Sequence, residues 1–463
     1  MNISSYLPKG KDKTFLFNEE ISFSYNQVNQ ISKNFELDMS RKLCLFFFDT
    51  SIDALITYVT VLSKKCTVLV LEPKLNNNLI ENYIEKFSPE FIAGSNIAHY
   101  SGKVLFSHGE FRLKEINSNI APIGNMLSVL LPTSGSTGNS KVVRITSKNL
   151  AFSAEKISKY LDIKSNDILT TSLPLHYSYG LSILNISIYQ NASIFVKEYS
   201  FLNKSYWNLL KESKITHFAG VPTMFKNIID AKAMKLLPDS LKSVTVAGGK
   251  LAEPLSMQLI NLSLKKNFNF FSMYGATEAT PRMSYVPPKY SREKIGSAGI
   301  PIEGGEFSIE NFNNSSEGEI IYSGKNVALG YAENREHLTN SDEFKGILKT
   351  GDIGYIDKDG FLFVTGRLKR IGKARGIRIN LDDIENSLTK NNYNVMVVEI
   401  SDNIVIASLE NNKKEILDFL KSKEIIDLGT VKFIQVRNFP LNSNLKKNYI
   451  ELTNNLTEYI VER

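Results

Sequence analysis

An α/β fold is what this sequence predicts: a large N-terminal domain of stacked α/β sheets with a small β-rich subdomain, followed by a small, mobile α+β C-terminal domain. Three observations carry that expectation. Between Leu43 and Val246, apolar runs alternate with amphipathic helical patterns, as strands and helices taken in turn would. Between Gly296 and Val364 the texture changes to short runs punctuated by Gly, Asn and Asp. Beyond Lys369, apolar strands and one amphipathic helix form a compact closing unit.

Each element follows from its residues. LCLFFFD, SIDALITYVTVLSKK and CTVLVLE, within Leu43–Glu72, read as strand, helix and strand. ILTTSLPL, a helix over Gly180–Tyr189, and ASIFVKE continue the alternation. GEIIYSG and KDGFLFV supply strands of the subdomain, placed at about 296–366. NVMVVEIS, NIVIASL, KEILDFLKSK and VKFIQV build the last unit. The 463 residues exceed one ordinary core. The division is expected at 1–366 and 369–463, with a hinge near Lys369.

Composition excludes several classes. No apolar run approaches the ~18 residues of a membrane helix, and the N-terminus lacks the apolar centre of a signal peptide. Cys44 and Cys66 sit in apolar strand-like runs, so reduced core thiols and a cytoplasmic location are expected. Five histidines without paired spacing make no zinc site. A net charge of +7 is modest for this length and gives no case for nucleic-acid binding.

The most informative stretch is LLPTSGSTGNSK (Leu130–Lys141). An apolar strand over Leu127–Leu131 enters a segment of Gly, Ser, Thr and Asn that cannot pack as core. Gly135 and Gly138 permit positive φ, so successive N–H groups can converge on an anion. Thr133, Ser134, Ser136 and Thr137 add hydroxyl donors, and Lys141 adds a charge. Such a loop binds phosphate, as in a nucleotide. It is neither a Walker A loop nor a GxGxxG fingerprint.

Four further stretches complete the constellation. YGATEAT (Tyr274–Thr280) puts an aromatic face, a hydroxyl and a carboxylate on one turn. Tyr274 can stack on a base, Thr277 can bind a phosphate oxygen, and Glu278 can hold Mg²⁺. TGD (Thr350–Asp352) offers a carboxylate to ribose hydroxyls. GRLKRIGKARGIRIN (Gly366–Asn380) is strongly basic, and FPLNSNLKKNY (Phe439–Tyr449) carries Lys446.

Together these motifs resemble the adenylate-forming superfamily of acyl-CoA synthetases, stand-alone adenylation domains and firefly-type luciferases. TSGSTGNSK resembles its phosphate loop, YGATE its YGxTE turn, TGD its ribose motif, and GRLKRIGKARGIRINLDDIE its hinge and following helix. VAGGKL (Val246–Leu251) resembles the strand and Gly turn beside adenine, and LPLHYSYGL (Leu173–Leu181) the aromatic segment on the acid side. The resemblance runs from about residue 20 to the end of the chain.

What it implies is ATP- and Mg²⁺-dependent adenylation of a carboxylic acid, then transfer of the acyl group to the thiol of CoA or of a phosphopantetheine arm on a separate carrier protein. Thr133, Ser134, Gly135, Ser136, Thr137, Gly138 and Lys141 would hold the β- and γ-phosphates. Thr277 would meet the α-phosphate, Glu278 the Mg²⁺, Asp352 and Arg367 the ribose. Tyr274, Gly275 and Gly249 would frame adenine. Lys446 would be the catalytic cation, delivered by the mobile domain about Lys369, while Lys373 and Gly376 would serve the thiol side. His176, Tyr177, Ser178 and Gly248 would line the acid pocket, with Tyr179, His217 and Phe218 adding aromatic walls.

Three departures from the pattern stand out. Leu445 replaces the usual Gly before the lysine, and Ser140 replaces the usual Pro of the phosphate loop. Ser178 occupies the position of the Asp that pairs with an α-ammonium in amino-acid-activating members. An unpaired buried ammonium is costly, so a small or medium acid is expected over an α-amino acid. An amino-acid adenylating enzyme and a non-catalytic nucleotide- or acyl-binding relative remain the other readings.

Overall fold

The computed structural model describes residues 12–118, 120–133, 141–200, 202–311, 316–374, 377–400, 403–422, 429, 431–441 and 447–461. Among these, the strands assemble into five sheets, two of them large. The mixed α/β class is the one expected, with a large N-terminal part and a small C-terminal one.

The first large sheet runs Lys103–His108, Phe111–Glu115, Phe91–Gly94, Leu43–Phe47, Thr67–Leu71, Leu127–Pro132, Val142–Thr146 and Tyr331–Ala332 in spatial order. Its central strands are parallel. Every residue of Leu43–Phe47 and Thr67–Leu71 is buried. A parallel strand covered on both faces is apolar throughout, which explains LCLFF and TVLVL. Cys44 and Cys66 lie here as buried free thiols, and burial pushes both far above the ordinary thiol range.

The second large sheet centres on parallel strands Ser193–Phe195, Ile168–Thr170, His217–Gly220, Ser243–Val246 and Asn269–Tyr274. The helix Ser178–Gln190 belongs to the cores of both sheets. Leu181, Leu184 and Ile188 pack with Phe46 and Val68, whereas Tyr179, Ile183 and Ile186 pack with Phe218 and Val244. Eleven of its 13 residues are buried, so it shows the all-round apolarity of a central helix rather than one apolar stripe. Gly180 is required near its start, since a Cβ there would stand 2.0 Å from the Pro174 carbonyl oxygen.

Gly305–Asn311, Gly318–Gly324, Ile347–Ile356 and Leu362–Arg367 form a four-stranded antiparallel sheet. Two short strands within the stretch 296–366 serve other sheets. Ile300–Pro301 closes the edge of the second large sheet, and Tyr331–Ala332 closes the first. In the C-terminal part, Val395–Ile400, Asn403–Ser408 and Val431–Gln435 form a sheet. Helices Leu381–Lys390 and Lys413–Ser422 cover one face, and Tyr449–Asn454 covers the other. No helix among the described residues is long and apolar enough to cross a membrane.

A single buried carboxamide joins these layers. Asn326 is fully buried. Its Nδ2 donates to the carbonyls of Ala279 and Arg282, both at 2.7 Å. Its Oδ1 accepts from the Tyr322 hydroxyl at 2.9 Å, and its carbonyl accepts from Thr280 at 2.8 Å. From the helix Ser147–Tyr160, Asn149 Nδ2 donates to the carbonyls of Lys325 and Val327, each at 2.8 Å. The Thr277–Arg282 turn is thereby fixed to two sheets. Asn326→Leu keeps the volume but leaves two carbonyls and a hydroxyl unpaired, at about 1–3 kcal/mol each. The expected outcome is a lower denaturation midpoint for the large domain; an unchanged midpoint would show that the anchor is dispensable.

Candidate functional site

The site lies at the carboxyl ends of the parallel strands of the second large sheet, where ligands collect in α/β folds. Strand Asn269–Tyr274 ends in the Gly275–Thr280 turn. Gly275 is obligatory, because a Cβ would fall 1.8 Å from the Pro281 carbonyl oxygen. The turn is closed by Met283 N–H donating to the Tyr274 carbonyl at 2.9 Å and by Ala328 N–H donating to that of Glu278 at 2.8 Å.

Thr277 Oγ1 lies 3.2 Å from Ser178 Oγ, the first residue of the two-core helix. Sequence reading assigned these two hydroxyls to different ligands, and the fold brings them into contact. Glu278 Oε1 accepts from the Tyr331 hydroxyl at 2.8 Å. Lys141 Nζ stands 3.7 Å from the centre of the same Tyr331 ring, a cation–π contact of about 0.5–2 kcal/mol. Burial, and then the Glu278 carboxylate, hold the Tyr331 phenol well above its ordinary pKa, so it stays a donor. The loop lysine and the turn carboxylate therefore share one tyrosine.

Tyr331 was not legible as a site residue. Its strand pairs with Val142 and Val143, directly after Lys141, and only the fold shows that placement. Fully buried Arg144 secures the approach. It donates to the carbonyls of Asn340, Leu329 and Ser341 at 2.7, 3.1 and 3.1 Å. Thr133 N–H donates to the Lys141 carbonyl at 3.4 Å.

On the opposite side, Asp352 is buried at 6% exposure. It stands directly across from Arg367 in the antiparallel register. Arg367 Nε meets Asp352 Oδ1 at 2.8 Å, and the Tyr274 hydroxyl donates to Oδ2 at 2.5 Å. Burial and the neighbouring carboxylate raise the Tyr274 phenol far above its ordinary pKa. Each carboxylate oxygen can accept more than one bond, so the group keeps capacity for a diol. The bond from Tyr274 to Asp352 is an addition to the aromatic role read from the sequence.

Gly248, at φ +88°, and exposed Gly249 follow strand Ser243–Val246, beside the strand that carries Tyr274. Tyr177 caps the two-core helix without a side-chain capping bond. His176 donates to the Phe48 carbonyl, and its Nε2 has no partner among the described residues. Burial holds its pKa below the usual value against the pull of Glu72. It thus sits at the strand ends of the first sheet. Tyr179, His217 and Phe218 line a small cavity of about 30 Å³ beneath the helix.

Ser134, Gly135, Ser136, Thr137, Gly138, Ser140, Gly376, Leu445 and Lys446 lie outside the described residues. For Lys369 and Lys373 only the backbone is described, Lys373 lying in the hairpin Ile371–Ala374 and Ile377–Asn380. The neighbours of Lys446 are well placed. Leu441 and Lys447 bridge the base of the loop. Lys447 Nζ donates to Glu385 Oε1 at 2.7 Å and to the Val395 carbonyl at 2.6 Å. Arg370 Nη2 meets Glu385 Oε2 at 3.1 Å. One buried carboxylate thus holds both the residue after Lys369 and the residue after Lys446.

A family model described as AMP-binding enzyme matches residues 7–332. The chain is similar to the 2-succinylbenzoate–CoA ligase of Bacillus pumilus, with 30% identity over 290 residues, 62% of this chain and 58% of that protein. The ligase of the same name from Bacillus subtilis is 31% identical over 265 residues, 56% of this chain and 53% of that protein. The alignments span somewhat more than half the length of these relatives. The fold is similar to that of the O-succinylbenzoate coenzyme A synthetase of Bacillus subtilis solved in complex with AMP. That likeness has a TM-score of 0.79 and 21% identity, and covers 100% of this chain and 99% of that one. The family match takes in most of the chain, including the turn and the tyrosine that bring Lys141 and Glu278 together, and the chain belongs to the AMP-binding enzyme family.

Proposed function

We propose that this chain is an ATP-dependent acid–thiol ligase that adenylates a carboxylic acid and passes the acyl group to CoA. The observation that carries the reading is the joined set Lys141–Tyr331–Glu278 beside the Ser178–Thr277 contact. It sets a cation, a carboxylate and two hydroxyls around one point at the strand ends. CoA is favoured as acceptor over a carrier protein because the curated relatives are named CoA ligases.

In this reading Thr133, Ser134, Gly135, Ser136, Thr137, Gly138 and Lys141 receive the β- and γ-phosphates, with backbone N–H groups supplying most of the donors. Asp352 and Arg367 hold the ribose, and Tyr274, Gly249 and Gly275 border the base. Thr277 bonds an α-phosphate oxygen while Ser178 orients the attacking carboxylate beside it. Glu278 gives Mg²⁺ one hard oxygen anchor, and substrate oxygens supply others; the ion would neutralise phosphate charge. Phosphoryl transfer is governed by positioning and charge neutralisation. His176, Tyr177 and Gly248 border the acid.

Lys446 supplies the cation between carboxylate and α-phosphate. Its loop belongs to the C-terminal part, so residues 369–463 form a domain that docks for the first half-reaction and turns about Lys369 for the second. Lys373 and Gly376 then face the thiol. The chain works in the cytoplasm, in keeping with its two buried free cysteines.

Pyrophosphate release across a panel of acids, 2-succinylbenzoate among them, with and without CoA, tests the whole reading; silence with every acid rejects it. Lys446→Ala should lower adenylation on the order of 10²–10³-fold, as loss of a charge-stabilising donor does, while ATP still binds. Retained adenylation would assign the role elsewhere. Lys369→Pro should slow thioester formation more than adenylation, and equal losses in single-turnover measurements of the two steps would move the hinge.

A further inference from the structure

Among the described residues, the buried guanidinium of Arg282 stands without an anion. Arg282 is 2% exposed. Its guanidinium lies 3.8 Å from the centre of the Tyr179 ring and donates to the Tyr160 hydroxyl. Its Nε has no hydrogen-bond partner among the described residues, and none of them forms an ion pair with it. The buried acid of this region, Asp167, is engaged by Lys242 at 2.6 Å and by His217 at 3.2 Å.

Arginine keeps its charge in proteins, and burying a charge without a counter-ion is costly. A phenol and an aromatic face offset only part of that cost. Arg282 lines the small cavity together with Tyr179, Ser182 and His217. Ser182 stands one helical turn from Ser178, ~6 Å along the axis, and Ser178 touches Thr277. The unpaired guanidinium therefore shares a cavity with a residue one helical turn from Ser178.

We infer that the acid activated here carries a second negative charge at its far end, and that Arg282 is the counter-ion that selects it. The inference rests on the acid-activating role proposed above and narrows it to short acids with two anionic groups. The reacting carboxylate faces Thr277. The second anion enters the cavity, meets the guanidinium and completes a pair that the protein leaves open. A neutral tail of the same length would strand the buried charge, so the discrimination is against uncharged analogues.

The test is ATP–pyrophosphate exchange with α,ω-dicarboxylic acids from succinate to pimelate, and with 2-succinylbenzoate, each beside its ω-monoamide. Wild-type protein should favour the diacid on the order of a hundredfold in kcat/KM. Arg282→Met should erase that preference mainly through KM, and Arg282→Lys should restore part of it, with circular dichroism and melting curves confirming that both variants fold. Equal use of diacids and monoamides by the wild type, which needs no variant, would overturn the inference. So would activation of acids with uncharged tails alone, or a preference that survives in Arg282→Met. Exchange with no acid of either kind would reject the parent reading instead.

Discussion

The site depends on a buried carboxamide whose two donated hydrogen bonds both go to the backbone of one turn. Asn326 meets two carbonyls of the Thr277–Arg282 turn and a tyrosine hydroxyl of the four-stranded sheet. In a low-dielectric interior such bonds are strong, and their absence is costly. A turn without regular pairing would otherwise leave its polar groups exposed or unmet. Through this residue the turn gains a fixed height relative to the four-stranded sheet, and Thr277, Glu278 and Arg282 inherit that precision.

Once the turn is placed, electrostatics follows from what stands opposite. Strand Tyr331–Ala332 joins the first large sheet next to Val142 and Val143, so its tyrosine falls between the phosphate-loop lysine and the turn carboxylate. The phenol is a neutral intermediary: its ring face attracts the ammonium and its hydroxyl serves the carboxylate. A direct lysine–carboxylate bridge would be tighter, and it would consume both charges. The tyrosine keeps them apart, so that in the proposed reading each stays available, the lysine to phosphate and the carboxylate to a cation. On the other flank, Asp352 is held by Arg367 across the ladder and by Tyr274 from a different sheet.

Much of the fold was legible because its signals are local. LCLFFFD and CTVLVLE read as strands from their apolar runs, their alternation with helices pointed to mostly parallel sheets, and the helix proposed over Gly180–Tyr189 is present as Ser178–Gln190. The stretch 296–366 read as one small β-rich subdomain because strand texture cannot tell which sheet a strand will join. Ile300–Pro301 and Tyr331–Ala332 went to the large sheets. For the site, motif residues such as Glu278 and Asp352 announce themselves through Gly and hydroxyl neighbours. Tyr331, Asn326 and Arg144 do not, since each acts across more than 40 positions of sequence. The stretch Gly366–Asn380 read as strongly basic without showing where each charge points, and Arg370 is turned inward onto Asp382 and Glu385.

The helix Ser178–Gln190 has a consequence for how such a protein can diversify. Its flanks are committed to two apolar interiors at once, so sliding or tilting it would require both to repack together. The end that presents Ser178 is therefore a stationary datum. If the proposed acid binds along this helix, variation in it would have to be absorbed by replacing side chains further down the same face, where Ser182 and Ile186 follow at successive turns. Depth would then be graded in steps of one turn, with the reacting end left in register.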